Sequence, residues 1–247
     1  MFDIKIDNAN YWKDCTNAIV SLVIEGAFSI PKEGISLKAM DPSGISMVSF
    51  SMPSKAFSKF EIDKDSDVGL NLENLSKIMS RTRDDEALHI KATENKLSME
   101  FVGKGGKRRY RLPMVDVRKN ADKEPNVEFD AVIELSGDPL KEIIKDASQV
   151  SSYISFKASK EQLTISAFGD SADLEELHEA GGHMVKKIEA SKNAEAVFNL
   201  EYLENMVKAC PAGGTLKICL KSNEPLKMSY NIKDASITYF LAPYVGE

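Results

Sequence analysis

From Asn10 onward the apolar residues recur at steps of three and four. Tyr11, Trp12, Cys15, Ala18, Ile19 and Leu22 fall on one side of a helical wheel, and Asn10, Lys13, Asn17 and Ser21 on the other. The spacing predicts a helix from Asn10 to about Val23. A second helix is predicted from Leu72 to Arg81, with Leu72, Leu75, Ile78 and Met79 inward and Asn74, Lys77 and Arg81 outward. Asp138-Pro139 reads as a third helix start, Asp as N-cap and Pro in the first turn. Leu140, Ile143, Ile144 and Ala147 form its stripe, leaving Lys141, Lys145 and Gln149 outside. The fourth helix runs from Leu200 to Ala209, burying Leu203, Met206 and Val207, and Pro211 stops it. Between the helices lie alternating strand-like runs such as Ile45 to Met52, Leu97 to Val102 and Leu216 to Leu220, separated by Gly, Pro, Asn and Asp turns.

This pattern is written twice. Phe2-Asp3-x-x-Ile6 returns as Phe129-Asp130-x-x-Ile133, and Ile35-Ser36-Leu37-Lys38-Ala39 as Leu163-Thr164-Ile165-Ser166-Ala167. Asn71-Leu72-Glu73-x-Leu75 returns as Asn199-Leu200-Glu201-x-Leu203, and Tyr110-x-Leu112 as Tyr239-x-Leu241. The landmarks keep their order and their offset stays between 127 and 129 residues. The 247 residues therefore divide into two copies of one α+β domain, each with two helices against antiparallel sheet: residues 1–117 and 128–247, joined by a polar connector at 118–127 that carries Pro125 and no periodicity.

Composition narrows the possibilities. No apolar run approaches the roughly 18–20 residues of a membrane-crossing helix, and the start, Met1-Phe2-Asp3-Ile4-Lys5, lacks the pattern of a signal peptide. Cys15, Cys210 and Cys219 are odd in number and without metal-ligand spacing, which fits reduced core thiols of an intracellular protein. A formal net charge of −6 argues against binding nucleic acid by bulk electrostatics, though not against basic residues confined to one surface. No enzyme constellation is visible and no cofactor is implied. Gly103-Lys104-Gly105-Gly106-Lys107 lacks the Gly-Lys-Ser/Thr ending of a phosphate loop and reads as a hairpin turn. His89, His178 and His183 have no ligand spacing, and neither Ser43 nor Ser166 has the glycine of a nucleophile elbow.

Two charged runs stand out. Lys104 to Arg111 holds five basic residues and Asp170 to Glu179 five acidic ones, both in strand-like surroundings. Taken together they predict edge strands of opposite charge that join copies of the chain head to tail. The residues concerned are Lys107, Arg108, Arg109, Tyr110 and Arg111 on one side, and Asp173, Glu175, Glu176 and Leu177 on the other. Such an interface closes into a ring or grows into a filament.

Leu37-Lys38-Ala39-Met40-Asp41-Pro42-Ser43-Gly44-Ile45-Ser46-Met47-Val48, the helix start Asn199-Leu200-Glu201-Tyr202-Leu203 and the tail Tyr239-Phe240-Leu241-Ala242-Pro243 resemble the PCNA family of DNA sliding clamps, archaeal in type, over the whole chain. The resemblance implies two tandem clamp domains assembling as a homotrimer into a pseudo-sixfold ring around double-stranded DNA. It implies a processivity factor without catalysis of its own. DNA polymerase, the clamp loader (replication factor C), flap endonuclease and DNA ligase would dock through short peptides, for replication and repair. The setting would be cytoplasmic and nucleoid-associated, or nuclear in a eukaryote. Helix positions Lys13, Lys77, Arg81, Lys141, Lys145 and Lys208 would face phosphates, without sequence readout. The peptide groove would use Met40, Gly44, Ile45, Met47, Val127, Pro225, Phe240, Leu241, Ala242 and Pro243. The polar connector departs from the family pattern and offers it little apolar surface. Two alternatives stay open: one subunit of a heterotrimeric or checkpoint-type clamp, and an interaction scaffold that never encircles DNA.

Overall fold

In the computed structural model, which describes residues 2–93, 95–117, 121 and 123–245, the elements follow one order twice. The first pass is β1 (Phe2–Ile6), α1 (Ala9–Val20), β2 (Glu25–Ile30), β3 (Gly34–Met40), β4 (Ser46–Pro53), β5 (Lys59–Ile62), β6 (Ser66–Asn71), α2 (Leu72–Met79), β7 (Ala87–Ala92), β8 (Lys96–Gly103) and β9 (Gly106–Pro113). The second is β10 (Ala131–Ser136), α3 (Gly137–Ser148), β11 (Tyr153–Ala158), β12 (Gln162–Phe168), β13 (Asp173–Glu179), β14 (Val185–Ala190), β15 (Ala194–Asn199), α4 (Leu200–Lys208), β16 (Thr215–Leu220), β17 (Leu226–Ile232) and β18 (Ala235–Leu241).

Sheet order repeats as well. Strands β5-β1-β7-β8-β9 match β14-β10-β16-β17-β18, and β4-β3-β2-β6 match β13-β12-β11-β15. The chain forms two compact units that do not follow the halves strictly. One comprises Met1–Pro42, Val48–Asp122 and Ile232–Ile237; the other comprises Ser43–Met47, Lys123–Asn231 and Thr238–Glu247. Strands β4 and β18 are each divided between the units and are neighbours in the sheet order, whereas β9 and β13 each end a sheet.

Helix ends follow local hydrogen bonding. Asn8, Asn71 and Asn199 cap α1, α2 and α4, their side chains accepting from the backbone N–H of Asn10, Asn74 and Glu201. The first helix stops at Val20, short of the predicted Val23, where the Ser21 hydroxyl donates to the Ala18 carbonyl. The second stops at Met79, as the Ser80 hydroxyl donates to Lys77 O, so Arg81 lies in the following turn and Ile78 is only half-buried. The third begins at Gly137 with Ser136 at the cap position. Asp138 is therefore not the N-cap: its carboxylate instead accepts the Gly213 N–H at 2.7 Å, pinning the loop after α4.

Within each unit the two helices pack on each other. In the first, Trp12 meets Phe28 and Phe50 at centroid distances of 5.9 and 6.1 Å. In the second, Phe156 and Phe198 lie 6.3 Å apart and are fully buried. The three cysteines are buried and free, and burial pushes the Cys15 thiol up to about 12, so it stays protonated at neutral pH.

The segments after β9 and β18 are pinned alike. Val115 N–H donates to Gly69 O at 2.9 Å, and Tyr244 N–H to Val197 O at 2.7 Å, the second pair lying 129 and 128 residues beyond the first. At Gly69 an added Cβ would sit 2.1 Å from the Val115 carbonyl oxygen. Gly69→Ala must displace that backbone and is expected to cost about 3 kcal/mol, lowering Tm by roughly 6–12 °C in a calorimetric scan.

Candidate nucleic-acid and partner surfaces

On the helices Lys77, Lys145 and Lys208 are exposed and Lys13 is half-exposed, and Arg81 is exposed in the turn after α2. Their surroundings are mixed in sign. Lys77 lies 3.9 Å from Glu73, and Lys145 donates to Glu142 at 2.7 Å. Asp14 on α1, Asp146 on α3, and Glu201 and Glu204 on α4 are exposed as well. Lys141 differs from the expectation of a freely exposed lysine. Its side chain is 21% exposed and its Nζ donates to Cys210 O at 2.6 Å, so it ties α3 to the end of α4. Helices whose exposed cations are interleaved by acids can hold a polyanion loosely but not tightly.

The edges carry the expected charge. On β9, Lys107, Arg109 and Arg111 are exposed and alternate with half-buried Arg108 and Tyr110. On β13, Asp173, Glu175, Leu177 and Glu179 are exposed, and Glu176 is half-buried beside His178 at 3.1 Å. The predicted hairpin is present: Gly103 pairs with Gly106 across the β8–β9 turn, and Gly106 takes a φ of 118° that favours glycine. Arg108 is less available than its neighbours, since its guanidinium donates to Glu86 at 2.5 Å and to Arg81 O at 3.1 Å.

The repeat makes the edges informative. Tyr239 on β18 is fully buried, its hydroxyl 3.0 Å from that of Tyr230, while its counterpart Tyr110 on β9 is half-exposed. Strand β4 buries Ser46, Met47, Val48, Phe50 and Met52, whereas its counterpart β13 buries no residue and leaves Leu177 58% exposed. A cavity of about 520 Å³ opens beside β13, lined by Pro139, Ile143, Asp146, Leu177, His183 and Met184 among others.

Burial alone would raise the pKa of Glu86, but the Arg83 N–H and the Arg108 guanidinium outweigh it and hold the carboxyl below its ordinary range. A depressed folded pKa contributes stability that is complete above the unfolded value of roughly 4.3 and is lost as pH falls through the folded one. Glu86→Gln is therefore expected to cost about 2–3 kcal/mol at pH 7. Urea denaturation should show its deficit against the parent shrinking by pH 3.

Of the predicted groove residues, Gly44, Ile45, Met47, Val127, Pro225, Phe240, Leu241, Ala242 and Pro243 belong to the second compact unit, and Met40, half-buried, to the first. Gly44 turns the chain at a φ of 71°, and Ala242 N–H donates to Ile45 O at 2.9 Å, joining the turn to the tail. Ile45 is 40% exposed; Ala242, Pro243, Pro225 and Val127 are half-buried. Met47, Phe240 and Leu241 are at most 3% exposed, so they are core residues beneath the surface and not contact residues. Lys227, unremarked in the sequence, covers the Phe240 ring at 5.5 Å; alternation along β17 was the only signal for it. In the connector, residues 118–120 and 122 lie outside the described residues, and Ala121 is buried.

Comparison with known proteins agrees with this arrangement. Family models described as Proliferating cell nuclear antigen, N-terminal domain, and Proliferating cell nuclear antigen, C-terminal domain, match residues 1–122 and 123–245. The DNA polymerase sliding clamp of Thermococcus gammatolerans is 33% identical over 248 aligned positions, covering 100% of this chain and 99% of the relative. That of Pyrococcus furiosus is 30% identical with the same coverage. Among solved structures, PCNA from Thermococcus kodakaraensis superposes with a TM-score of 0.94 at 23% identity, covering 99% of this chain and all of that one. A. fulgidus PCNA bound to the C-terminal region of FEN-1 gives 0.90 at 23% identity with full coverage of both chains. Two adjoining family models, and relatives at this identity over their whole length, leave one assignment: the chain belongs to the proliferating cell nuclear antigen family.

Proposed function

We propose that this chain is a DNA polymerase sliding clamp, three copies of which close into a ring around duplex DNA and tether replication and repair enzymes. The observation that carries the reading is the repeat applied to sheet order. Strand β18 lies beside β4 within the chain, and the equivalents of these two strands, β9 and β13, both end their sheets. The same pairing made between copies satisfies both edges, buries Tyr110 as Tyr239 is buried, and covers the cavity beside Leu177. It is head to tail, so it propagates until it closes. Domains 1–117 and 128–247 then count as six similar units in a trimer.

In such a ring Lys13, Lys77, Arg81, Lys145 and Lys208 meet phosphates, with Lys141 contributing from its tethered position. Their interleaved acids suit a clamp that slides, because retention comes from closure and not from affinity. No chemical step belongs to the clamp itself. Polymerase, clamp loader, flap endonuclease and ligase dock by short peptides at Ile45, Val127, Pro225, Ala242 and Pro243, above a floor of Met47, Phe240 and Leu241. The FEN-1 peptide on the A. fulgidus relative supports this mode of docking.

Light scattering on the purified chain should give three subunits. With a clamp loader and ATP, it should extend polymerase runs on a primed circular template and fall off once that template is linearised. A stable monomer at micromolar concentration would favour a heterotrimer subunit, and polymerase stimulation without loading would favour a scaffold.

A further inference from the structure

The junction inside the chain and the contact proposed between copies differ at one ring. His178 on β13 follows Phe50 on β4 by 128 residues, and its cross-strand neighbour Leu163 on β12 follows Ile35 on β3 by the same number. Phe50 is 1% exposed and meets Trp12 and Phe28 edge-on, at centroid distances of 6.1 and 6.4 Å. His178 holds the equivalent place on a strand that ends its sheet. Its side chain is 20% exposed and lines the cavity that opens beside β13. Its Nε2 is buried without a hydrogen bond among the described residues, although a Glu176 carboxylate oxygen stands 3.1 Å away. A flat ring is kept at this place, but one that can acquire a charge near neutral pH.

We propose that His178 makes ring closure proton-sensitive: the neutral imidazole is enclosed at each contact between copies, and its protonation loosens that contact. The inference rests on the head-to-tail pairing of β9 with β13 and extends it. When the β9 of a second copy covers β13 as β18 covers β4, His178 is enclosed as Phe50 is. A neutral imidazole tolerates such a place, whereas an imidazolium loses its hydration there. The acids that share the cavity with it are Glu176 and Glu179 on β13 and Glu142 and Asp146 on α3, with His183 exposed at the rim. Lys145 on α3 is engaged by Glu142, and β12 carries no charged residue. These acids favour the proton in the free chain. On closure the arriving strand brings Lys107, Arg108, Arg109 and Arg111, which draw on the same carboxylates and repel an imidazolium. Enclosure and the new cations act in one direction, so the free chain takes up a proton that the ring excludes. Association is therefore complete while His178 is neutral and weakens as pH falls, by at most about tenfold per contact for each pH unit.

The test is sedimentation equilibrium of the full-length chain at constant ionic strength between about pH 8 and pH 5.5, above the range in which most carboxylates titrate. Urea denaturation at both ends of the range confirms that each sample is folded. Each contact is expected to weaken about tenfold across this interval, which is about a thousandfold in the monomer–trimer constant. His178→Phe, which restores the ring found at Phe50, and His178→Gln should each remove most of this dependence. His183→Gln should retain it. A parent constant that does not change with pH, or a change that persists in both His178 variants, overturns the proposal and leaves the ring in place. A dependence abolished by His183→Gln overturns it as well. If His178→Phe alone does not assemble, His178→Gln decides. If neither variant assembles at about pH 8 while the parent does, the imidazole is needed for the contact itself and the proposal is wrong. A parent chain that is monomeric at about pH 8 removes the head-to-tail reading, and the switch falls with it.

Discussion

Replacing Arg109 and Arg111 together by glutamate is expected to convert the assembly from three subunits to one in light scattering. Both side chains are exposed on an edge strand, and the strand proposed to meet them carries Asp173, Glu175 and Glu179 at its exposed positions. Reversal turns attraction into repulsion along the whole edge. Close charge pairs across an interface couple by about 1.5 kcal/mol or more, so two reversals weaken each contact by roughly 10²–10⁴-fold. Within its own unit the reversal sets a carboxylate opposite Glu100, whose side chain is 15% exposed, so urea denaturation must show the unit still folded before the oligomeric state is read. Arg108 is left alone because its partner Glu86 is buried, and breaking that pair would destabilise the unit before it tested the interface. Adding Asp173→Lys and Glu175→Lys should restore trimers in part. A double variant that stays trimeric, or a quadruple variant with no recovery, would show that β9 and β13 do not meet.

The second large effect belongs to Ile45→Glu, which should weaken a plug peptide by about 100-fold and abolish polymerase stimulation while the oligomer persists. Ile45 is the groove candidate whose side chain is most open, held in place from behind by its carbonyl bond to Ala242. Buried aliphatic contacts at the centre of such a site contribute about 2–3 kcal/mol, and a carboxylate there is also desolvated without a partner. The contrast is Met47→Ala. Met47 is 1% exposed, so its truncation should appear as about 2–4 kcal/mol of lost stability in urea denaturation. Isothermal titration beside denaturation separates the two. Ile45→Glu with unchanged affinity would remove this surface from partner binding.

Much of the architecture was legible because it depends on local periodicity. The stripes of all four helices and the hairpin at Gly105 follow from near neighbours in the chain. The duplication predicted the recurrence of element order and sheet order, since equivalent patterns bury equivalent faces. Misreadings arose where a distant segment supplied the partner. Asp138 looked like a cap, yet Gly213 offered its N–H. Lys141 looked free, yet the end of α4 offered a carbonyl. Met47, Phe240 and Leu241, named for the groove by resemblance alone, are covered by other parts of the fold, because a strand's own sequence shows which side chains share a face but not whether another layer covers it.

The sequence by itself determined that this is a duplicated α+β chain, where its helices lie, and that two of its strands are strongly and oppositely charged. Only the tertiary structure decided that these two strands end their sheets while their repeat counterparts, β18 and β4, are neighbours in one. The physical reason is that strand pairing is non-local: backbone N–H and C=O groups on a strand are alike in every strand, so which of them are left unpaired is settled by the order in which the sheet assembles.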